Sequence, residues 1–263
     1  MKKICFSTLG CTDYSLEEIV SLAKKYNVDA LEVRGIGGEM DNTKIWCFLP
    51  ENAEKTKAYL KENGIELLSM GTSACCDAIG DNDGEIKKIC DEIDVASRMG
   101  FKFVRVFGNS IKEDYDVVLS RVVRALTKLC QYAKDKNVDV LLETHGDFND
   151  EATVNPVIEQ MKEFDNFGLI WDIMHTDGKY KENWLKFYEA QKPYIRHLHI
   201  KDHERSPWKL VNIGEGNIPV ADICNYLEKD GYEGYFSLEW ERKWHPELCC
   251  IEEAMDAFLK TVN

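Results

Sequence analysis

Four side chains able to bind a metal ion stand at the ends of four consecutive apolar segments in the second half of the chain. They are Glu143, Asp172, His199 and Glu239. Carboxylates that are buried together cannot all remain ionised without a counter-charge, and a divalent cation is the obvious one. Oxygen donors with one imidazole favour an octahedral ion with open positions over a closed structural zinc site. We therefore expect one divalent ion per chain. Mn²⁺ is the ion we expect, and Mg²⁺, Co²⁺ and Zn²⁺ are the alternatives.

Short apolar segments must position these residues, and a helical pattern follows each segment. The segments are residues 2–8, 29–35, 65–71, 101–108, 138–146, 167–175, 194–202 and 234–241. Eight units in 263 residues give about 33 residues per unit, the size of a strand–helix repeat. A doubly wound open sheet also alternates strands and helices, but it does not need eight units of such even size. We therefore predict one (β/α)8 TIM barrel, a single domain over residues 1–263.

Capping signals mark several of the predicted helices. Ser15 and Glu18 have the spacing of a capping box at the start of the first helix. Gly100 follows an apolar stripe and is a natural residue just past a helix end. Pro219 stands where a late helix begins, and Gly231 follows its end. These signals support the alternation of strands and helices.

The barrel prediction brings the four candidate ligands together. Active-site groups of such barrels lie at the C-terminal ends of the strands. The four strands are neighbours, each about 5 Å from the next, so their terminal side chains converge. His197 and Lys201 share the pleat phase of His199, and both are expected to point inward. His197 is deeper in its strand, where a hydrogen-bonded core histidine is the simpler interpretation.

Three further residues have two interpretations each. Arg105 is expected to point inward, either toward a substrate or to neutralise the acidic cluster. Glu32 is either substrate-facing or a partner in a core ion pair. Trp244 follows the last strand and would wall a sugar pocket with its indole face, although hydrophobic packing explains it equally well.

The composition excludes several classes of protein. With 44% hydrophobic residues the chain can bury a large core, which excludes a disordered protein. The 33 Lys and Arg against 47 Asp and Glu give a net charge of −14, which disfavours nucleic acid and membrane surfaces as partners. The ten cysteines form no CxxC motif, and the N-terminus does not have the pattern of a signal peptide. We expect free thiols and a cytoplasmic protein.

Several segments resemble the xylose isomerase-like barrel superfamily, in particular its sugar phosphate isomerases and epimerases. The resemblance spans essentially the whole chain. Its specific parts are LLETHGDF (141–148), LIWDIMH (169–175), RHLHIKD (196–202), GEGNIP (214–219) and SLEWERKWHPEL (237–248). In that superfamily the metal ligands are Glu, Asp, His and Glu at the ends of strands 5 to 8. The resemblance therefore implies the same four ligands that position alone indicates.

The resemblance also implies a reaction. Glu143 and Glu239 would move a proton on a ketose or related keto-polyol, phosphorylated or not, through a cis-enediolate. His175, three residues after Asp172, would polarise a substrate oxygen. Arg205, six residues after His199, would contact the same region, although a solvated loop charge explains it equally well.

A dehydratase of a cyclic keto-polyol is the leading alternative. Arg105, Glu143 with His145, and His199 with Lys201 resemble the dehydroshikimate dehydratase pattern, and an inosose dehydratase is of the same kind. Such an enzyme would expel a β-hydroxyl, with His145 or Lys201 as the acid. An apurinic endonuclease would need more ligands and a basic rim, and a non-catalytic sugar-binding barrel would not need both glutamates. The expected partner is a small sugar or keto-polyol, and since such barrels often pair, a homo-oligomer is compatible with the sequence.

Overall fold

Parallel strands close into a barrel in the computed structural model, which describes residues 2–80 and 82–263. Within these residues the barrel strands are β1 (Lys3–Ser7), β2 (Ala30–Val33), β3 (Glu66–Cys75), β4 (Phe103–Phe107), β5 (Asp139–Glu143), β6 (Phe167–Asp172), β7 (Ile195–Ile200) and β10 (Tyr235–Leu238). They follow chain order around the ring, and β10 closes it by pairing with both β7 and β1. The predicted (β/α)8 barrel is therefore confirmed, with all eight strand positions.

Helices connect the strands and cover the outside of the barrel. They are α1 (Leu16–Lys25), α2 (Pro50–Glu62), α3 (Asn82–Met99), α4 (Tyr115–Ala133), α5 (Glu151–Met161), α6 (Ile173–Tyr180), α7 (Trp184–Gln191), α8 (Val220–Lys229) and α9 (Ile251–Val262). The connection from β6 to β7 contains two of them, α6 and α7. No helix within the described residues has the length and apolar character needed to cross a bilayer.

The capping signals act as the sequence predicts. Ser15 accepts a hydrogen bond from the Glu18 N–H, and Glu18 accepts one from the Ser15 N–H, at 3.2 and 2.8 Å. Gly100, with φ of +86°, ends α3, where a residue with a side chain would be strained. Pro219 is the N-cap of α8, and Gly231 follows its end with φ of +85°. Local sequence therefore determines where these helices begin and end.

The apolar core lies mainly between the strands and the helices. A continuous cluster of buried side chains fills that layer, and each strand contributes its outward-facing residues to it. A separate small cluster of Cys5, Ala30 and Leu68, with Phe103 packed against it, lies apart from this core. The Phe103 ring is 6.1 Å from the ring of His197. This small cluster therefore borders the polar residues described below.

An antiparallel hairpin after β7 was not predicted. Its strands are β8 (Asp202–Arg205) and β9 (Trp208–Val211), and it interrupts the expected step from strand to helix. The segment 214–219 follows the hairpin and is hydrogen-bonded to its first residue, Asp202. The N–H groups of Gly214, Gly216 and Ile218 donate to the buried Asp202 carboxylate at 3.0, 3.0 and 3.1 Å. His203 adds a fourth donor at 2.8 Å. The segment is thus a loop organised by one carboxylate.

We expect replacement of Asp202 to destabilise the fold. Asp202→Asn removes the charge and one acceptor oxygen, leaving buried N–H groups without a partner, which costs about 1–3 kcal/mol. Urea unfolding at neutral pH measures the loss of free energy, and Asp165→Asn, a change at an exposed aspartate, is the matched control. Equal stability of Asp202→Asn and wild type would show that the carboxylate does not hold the loop.

Candidate active site and metal centre

Strand ends bring the four candidate ligands to one point. Glu143 ends β5, Asp172 ends β6, His199 lies in β7, and Glu239 follows β10. Asp172 and His199 are paired in register across neighbouring strands. One donor atom from each of the four residues lies within 4.8 Å of the others, and all four residues are buried. The structure therefore assembles the whole set that the sequence indicates.

Asp172 is oriented by the helix that follows it. It is the N-cap of α6, and its Oδ1 accepts hydrogen bonds from the N–H groups of Met174 and His175 at 2.9 and 3.0 Å. Because Oδ1 is engaged by the helix, Oδ2 faces the cluster. The start of α6 thus fixes one carboxylate oxygen for a ligand position.

The surroundings of His199 fit a cation. Its Nδ1 lies 3.0 Å from Glu143 Oε1 and 3.2 Å from Glu239 Oε2. Its Nε2 lies 2.9 Å from Glu32 Oε2. A neutral imidazole has one N–H; when Nε2 donates to Glu32, the Nδ1 lone pair faces carboxylate oxygens and a positive charge must stand among them. Glu143, Asp172, Glu239 and His199 Nδ1 together make a donor set that fits one divalent ion.

The electrostatics of the imidazole agree with that fit. Burial by itself would lower the pKa of His199, but the carboxylates of Glu239, Glu32 and Glu143 outweigh burial and raise it well above its usual value. The position therefore favours positive charge, whether it is carried by a proton or by a metal ion.

The chain also places its own cations against the carboxylates. Lys201, only 1% exposed, has its Nζ 2.7 Å from Asp172 Oδ2 and 2.6 Å from Glu239 Oε2. Arg105 Nη1 lies 3.0 Å from Glu143 Oε2 and 3.1 Å from Glu239 Oε1. Part of the counter-charge that the sequence assigns to a metal is thus supplied by side chains. Asp172 and Glu239, which would help to hold a metal ion, are thus also the partners of Lys201.

Cations also keep the two glutamates ionised. Burial would raise the pKa of Glu143, but Arg105 and His199 outweigh it, and the pKa is lowered. Burial acts on Glu239 in the same way, and His199, Lys201 and Arg105 lower its pKa well below the usual value. Both groups are therefore carboxylates at neutral pH, able to ligate a cation or accept a proton.

Glu32 lies behind His199 and binds two histidines. Its Oε2 is 2.8 Å from His197 Nε2 and 2.9 Å from His199 Nε2. The side chains of all three residues are at most 1% exposed. Of the two interpretations of Glu32, the structure supports the core partner. Buried carboxylates that bind the far nitrogen of a ligand histidine fix its tautomer and ring orientation.

His145 and His175 lie beside the cluster. Their ring centres are 4.1 Å apart, and His175 Nε2 is 3.9 Å from Asp172 Oδ2. Burial, followed by the charge of Lys201, lowers the pKa of His175 to about 3, so this ring is neutral at physiological pH. His145 lines the cavity beside the cluster and His175 does not, so contact of His175 with a substrate remains a prediction.

A cavity of about 330 Å³ opens above the cluster. Several residues singled out in the sequence line it, namely Arg105, Glu143, His145, Lys201, Glu239 and Trp244. Trp244 is 55% exposed, so packing in the core does not account for it. Arg34 and Ser73 also line the cavity and were not predicted. Arg34 follows Glu32 by two residues in the segment LEVRG, and this position at the end of β2 is the signal that could have found it.

Arg205 pairs with other carboxylates. It lies at the end of β8, and its guanidinium binds Asp177 with Nε and Nη2, both at 2.8 Å, and Glu182 with Nη1 at 2.7 Å. His203 Nε2 is 2.9 Å from the same Asp177. Within the described residues, the ionic partners of Arg205 are Asp177 and Glu182. None of the four candidate metal ligands is among them. Contact between Arg205 and a substrate remains a prediction.

Comparison with known proteins gives similar barrels. Residues 20–262 match a family model described as xylose isomerase-like TIM barrel. A fructoselysine 3-epimerase of Shigella flexneri is 25% identical over 153 residues, which cover 56% of this chain and 55% of that protein. The chain thus matches about half the length of this curated relative.

Solved structures extend the likeness over nearly the whole chain. The IolI protein with a bound zinc atom has a TM-score of 0.79 at 21% identity, covering 98% of this chain and 96% of its own. The probable 3-DHS dehydratase AsbF of Bacillus anthracis has a TM-score of 0.79 at 17% identity, covering 98% of this chain and 99% of its own. At these identities the likeness is one of fold.

We expect Glu32 to control metal affinity from behind His199. Glu32→Gln removes the carboxylate charge that holds the proton on His199 Nε2. The lone pair of His199 Nδ1 is then no longer fixed toward the metal, and the affinity for the metal ion falls by about 10–100-fold. Competition between the protein and a fluorescent chelator for Mn²⁺ measures this loss. Glu62→Gln, at an exposed position on α2, is the matched control. Unchanged affinity in Glu32→Gln would show that Glu32 does not orient the ligand.

Proposed function

Because the chain belongs to the xylose isomerase-like TIM barrel family, we propose that it is a metal-dependent sugar isomerase or epimerase. The substrate is a ketose or related keto-polyol. One observation carries the proposal: two buried, ionised glutamates, Glu143 and Glu239, line the same cavity and meet at one cation-favouring point. A pair of carboxylates on one site is what removal and return of a proton requires.

The chain's own residues account for the proton transfer. A divalent ion held by Glu143, Asp172, His199 and Glu239, Mn²⁺ being the one we expect, would polarise the carbonyl and neighbouring hydroxyl of the sugar and acidify the C–H bond between them. One glutamate then takes the proton from carbon, and the other returns it to the neighbouring carbon or to the opposite face. Arg105 binds both carboxylates and so holds their relative position.

Other residues bind and orient the sugar in this proposal. The neutral His175 ring, whose Nε2 is 3.9 Å from Asp172 Oδ2, would bind a substrate oxygen in this proposal. The exposed indole of Trp244 presents an apolar face to the C–H bonds of a sugar at the cavity wall. The cavity volume of about 330 Å³ is at the lower end of small-molecule sites, which agrees with a single small sugar.

Dehydration of a cyclic keto-polyol is the second candidate. His145 and Lys201 line the same cavity, and Lys201 Nζ lies 2.6 Å from both Glu239 and Glu241. A cationic or N–H donor beside the carboxylate that removes the proton could protonate a leaving β-hydroxyl. The two reactions share their first step and differ in whether a hydroxyl leaves.

We expect loss of either glutamate to abolish proton transfer. In D₂O the wild-type protein incorporates deuterium beside the carbonyl of a substrate ketose, and Glu143→Gln and Glu239→Gln lower this rate by at least about 100-fold because an amide cannot take the proton. NMR measures exchange, with Mn²⁺ raised until metal content equals that of wild type. Glu247→Gln, a change at an exposed glutamate outside the cavity lining, is the control. Full exchange in both active-site variants would rule out the two-carboxylate mechanism.

The same incubation separates the two reactions. With a panel of ketoses and cyclic keto-polyols, an isomerase or epimerase gives deuterated sugar and no new ultraviolet absorption. A dehydratase gives a conjugated enone, which absorbs in the ultraviolet. We expect deuterated sugar only; an enone from a cyclic keto-polyol would replace the first proposal by the second.

A further inference from the structure

Arg34 brings a second guanidinium to the cavity. It follows the last residue of β2, is 5% exposed, and lines the cavity together with Arg105 and the two glutamates. Its Nη2 donates to the hydroxyl of Ser73, another cavity residue, and its Nη1 to the carbonyl of Met40 at 3.4 Å. Both partners are neutral. The charge of Arg34 is therefore not matched by the groups that hold it.

This arrangement differs from that of the neighbouring cations. Arg105 contacts two glutamates, and Lys201 contacts three carboxylates. Within residues 2–80 and 82–263, no carboxylate oxygen lies within 4.0 Å of the Arg34 guanidinium. Burying a charged group without a counter-ion is costly, so proteins pair such groups or use them for a ligand.

Gly71 makes room for the two guanidiniums. A Cβ at Gly71 would lie 2.8 Å from Arg34 Cδ and 3.4 Å from Arg105 Nη2. A side chain at this point on β3 would therefore require the Arg34 side chain to shift. The like charges repel each other. Glu143 and Glu239 contact Arg105 directly, whereas Glu92, Glu239 and Glu32 act on Arg34 from beyond contact distance. Glycine at this point thus accommodates the close approach of the two arginine side chains.

Glu92 is the acidic group that acts on Arg34 from the helix side, beyond contact distance. Burial raises the pKa of Glu92 to about 7, although Asn42 donates to its Oε2 at 2.8 Å. At neutral pH Glu92 is thus ionised only in part. Burial, then Arg105, lowers the pKa of Arg34 to about 10, so its guanidinium stays charged. The cavity therefore keeps a positive charge at the Arg34 end.

We propose that Arg34 binds an anionic group of the substrate, so that the sugar carries a phosphate or a carboxylate. This inference rests on the proposed function for the identity of the substrate as a sugar. A guanidinium presents a planar fork of N–H donors that matches the oxygens of either oxyanion. The sugar carbonyl then lies over Glu143 and Glu239, and its anionic end points to Arg34. In this assignment the two glutamates carry out the reaction and Arg34, in the same cavity, anchors the substrate.

Binding of three probes tests the assignment. Isothermal titration of the Mn²⁺-loaded protein compares D-fructose with D-fructose 6-phosphate and with D-fructuronate, and the two anionic arms distinguish phosphate from carboxylate. We expect one anion to bind wild type at least about 10-fold more tightly than D-fructose, as for a charge-assisted hydrogen bond. In Arg34→Gln the ratio of the affinity for that anion to the affinity for D-fructose falls to about one. Arg34→Lys keeps the charge but not the planar set of N–H donors, and it gives an intermediate ratio.

Arg242→Gln is the matched control, because Arg242 is an exposed arginine after β10. It should keep the wild-type ratio. A wild-type protein that binds neither anion better than D-fructose, including the case in which no probe binds, overturns the assignment, as does an unchanged ratio in Arg34→Gln. The binding test and the deuterium-exchange test can fail independently. Anion binding that depends on Arg34, without deuterium exchange, would contradict the proposed reaction and leave the anion site in place.

Discussion

The concentration of buried carboxylates inside the barrel is the constraint on which the site depends. Glu32, Glu143, Asp172 and Glu239 are all nearly inaccessible to water, and such groups remain ionised only beside positive charge. The chain meets this requirement by placing basic side chains in contact with the buried carboxylates. Arg105 joins the two glutamates, Lys201 joins Asp172 to Glu239, and a histidine stands at the centre. A divalent ion bound by Glu143, Asp172, His199 and Glu239, as proposed, would add to these charges without replacing them.

The barrel makes that arrangement possible because its strands are rigid and in register. Neighbouring parallel strands place terminal side chains within a few ångströms of one another, and helices begin immediately after them. Asp172 shows how the two elements cooperate, since one of its oxygens caps a helix and the other faces the cluster. His199 is held in the same manner from behind by Glu32. The geometry of the candidate site is thus built from ordinary parts of the fold.

The charged groups of the cavity differ in whether they have an oppositely charged partner in contact. Its two glutamates are in contact with Arg105 and Lys201, whereas the hydrogen-bond partners of the Arg34 guanidinium are neutral. A neutral sugar would leave the Arg34 guanidinium without an anion in direct contact. An anionic sugar would satisfy it and be oriented by it. Substrate class and orientation are therefore linked through a single buried guanidinium.

Periodicity and spacing in the sequence are sufficient for the barrel, its eight strands, the helix caps, and the meeting of Glu143, Asp172, His199 and Glu239. These follow from local rules, because strand period and chain order decide which side chains reach the barrel mouth. The hairpin after β7, the pairing of Glu32 with histidines 165 and 167 residues away, and the place of Arg34 did not follow. Which cation meets which carboxylate depends on distances across the closed barrel, and only the tertiary structure decides them.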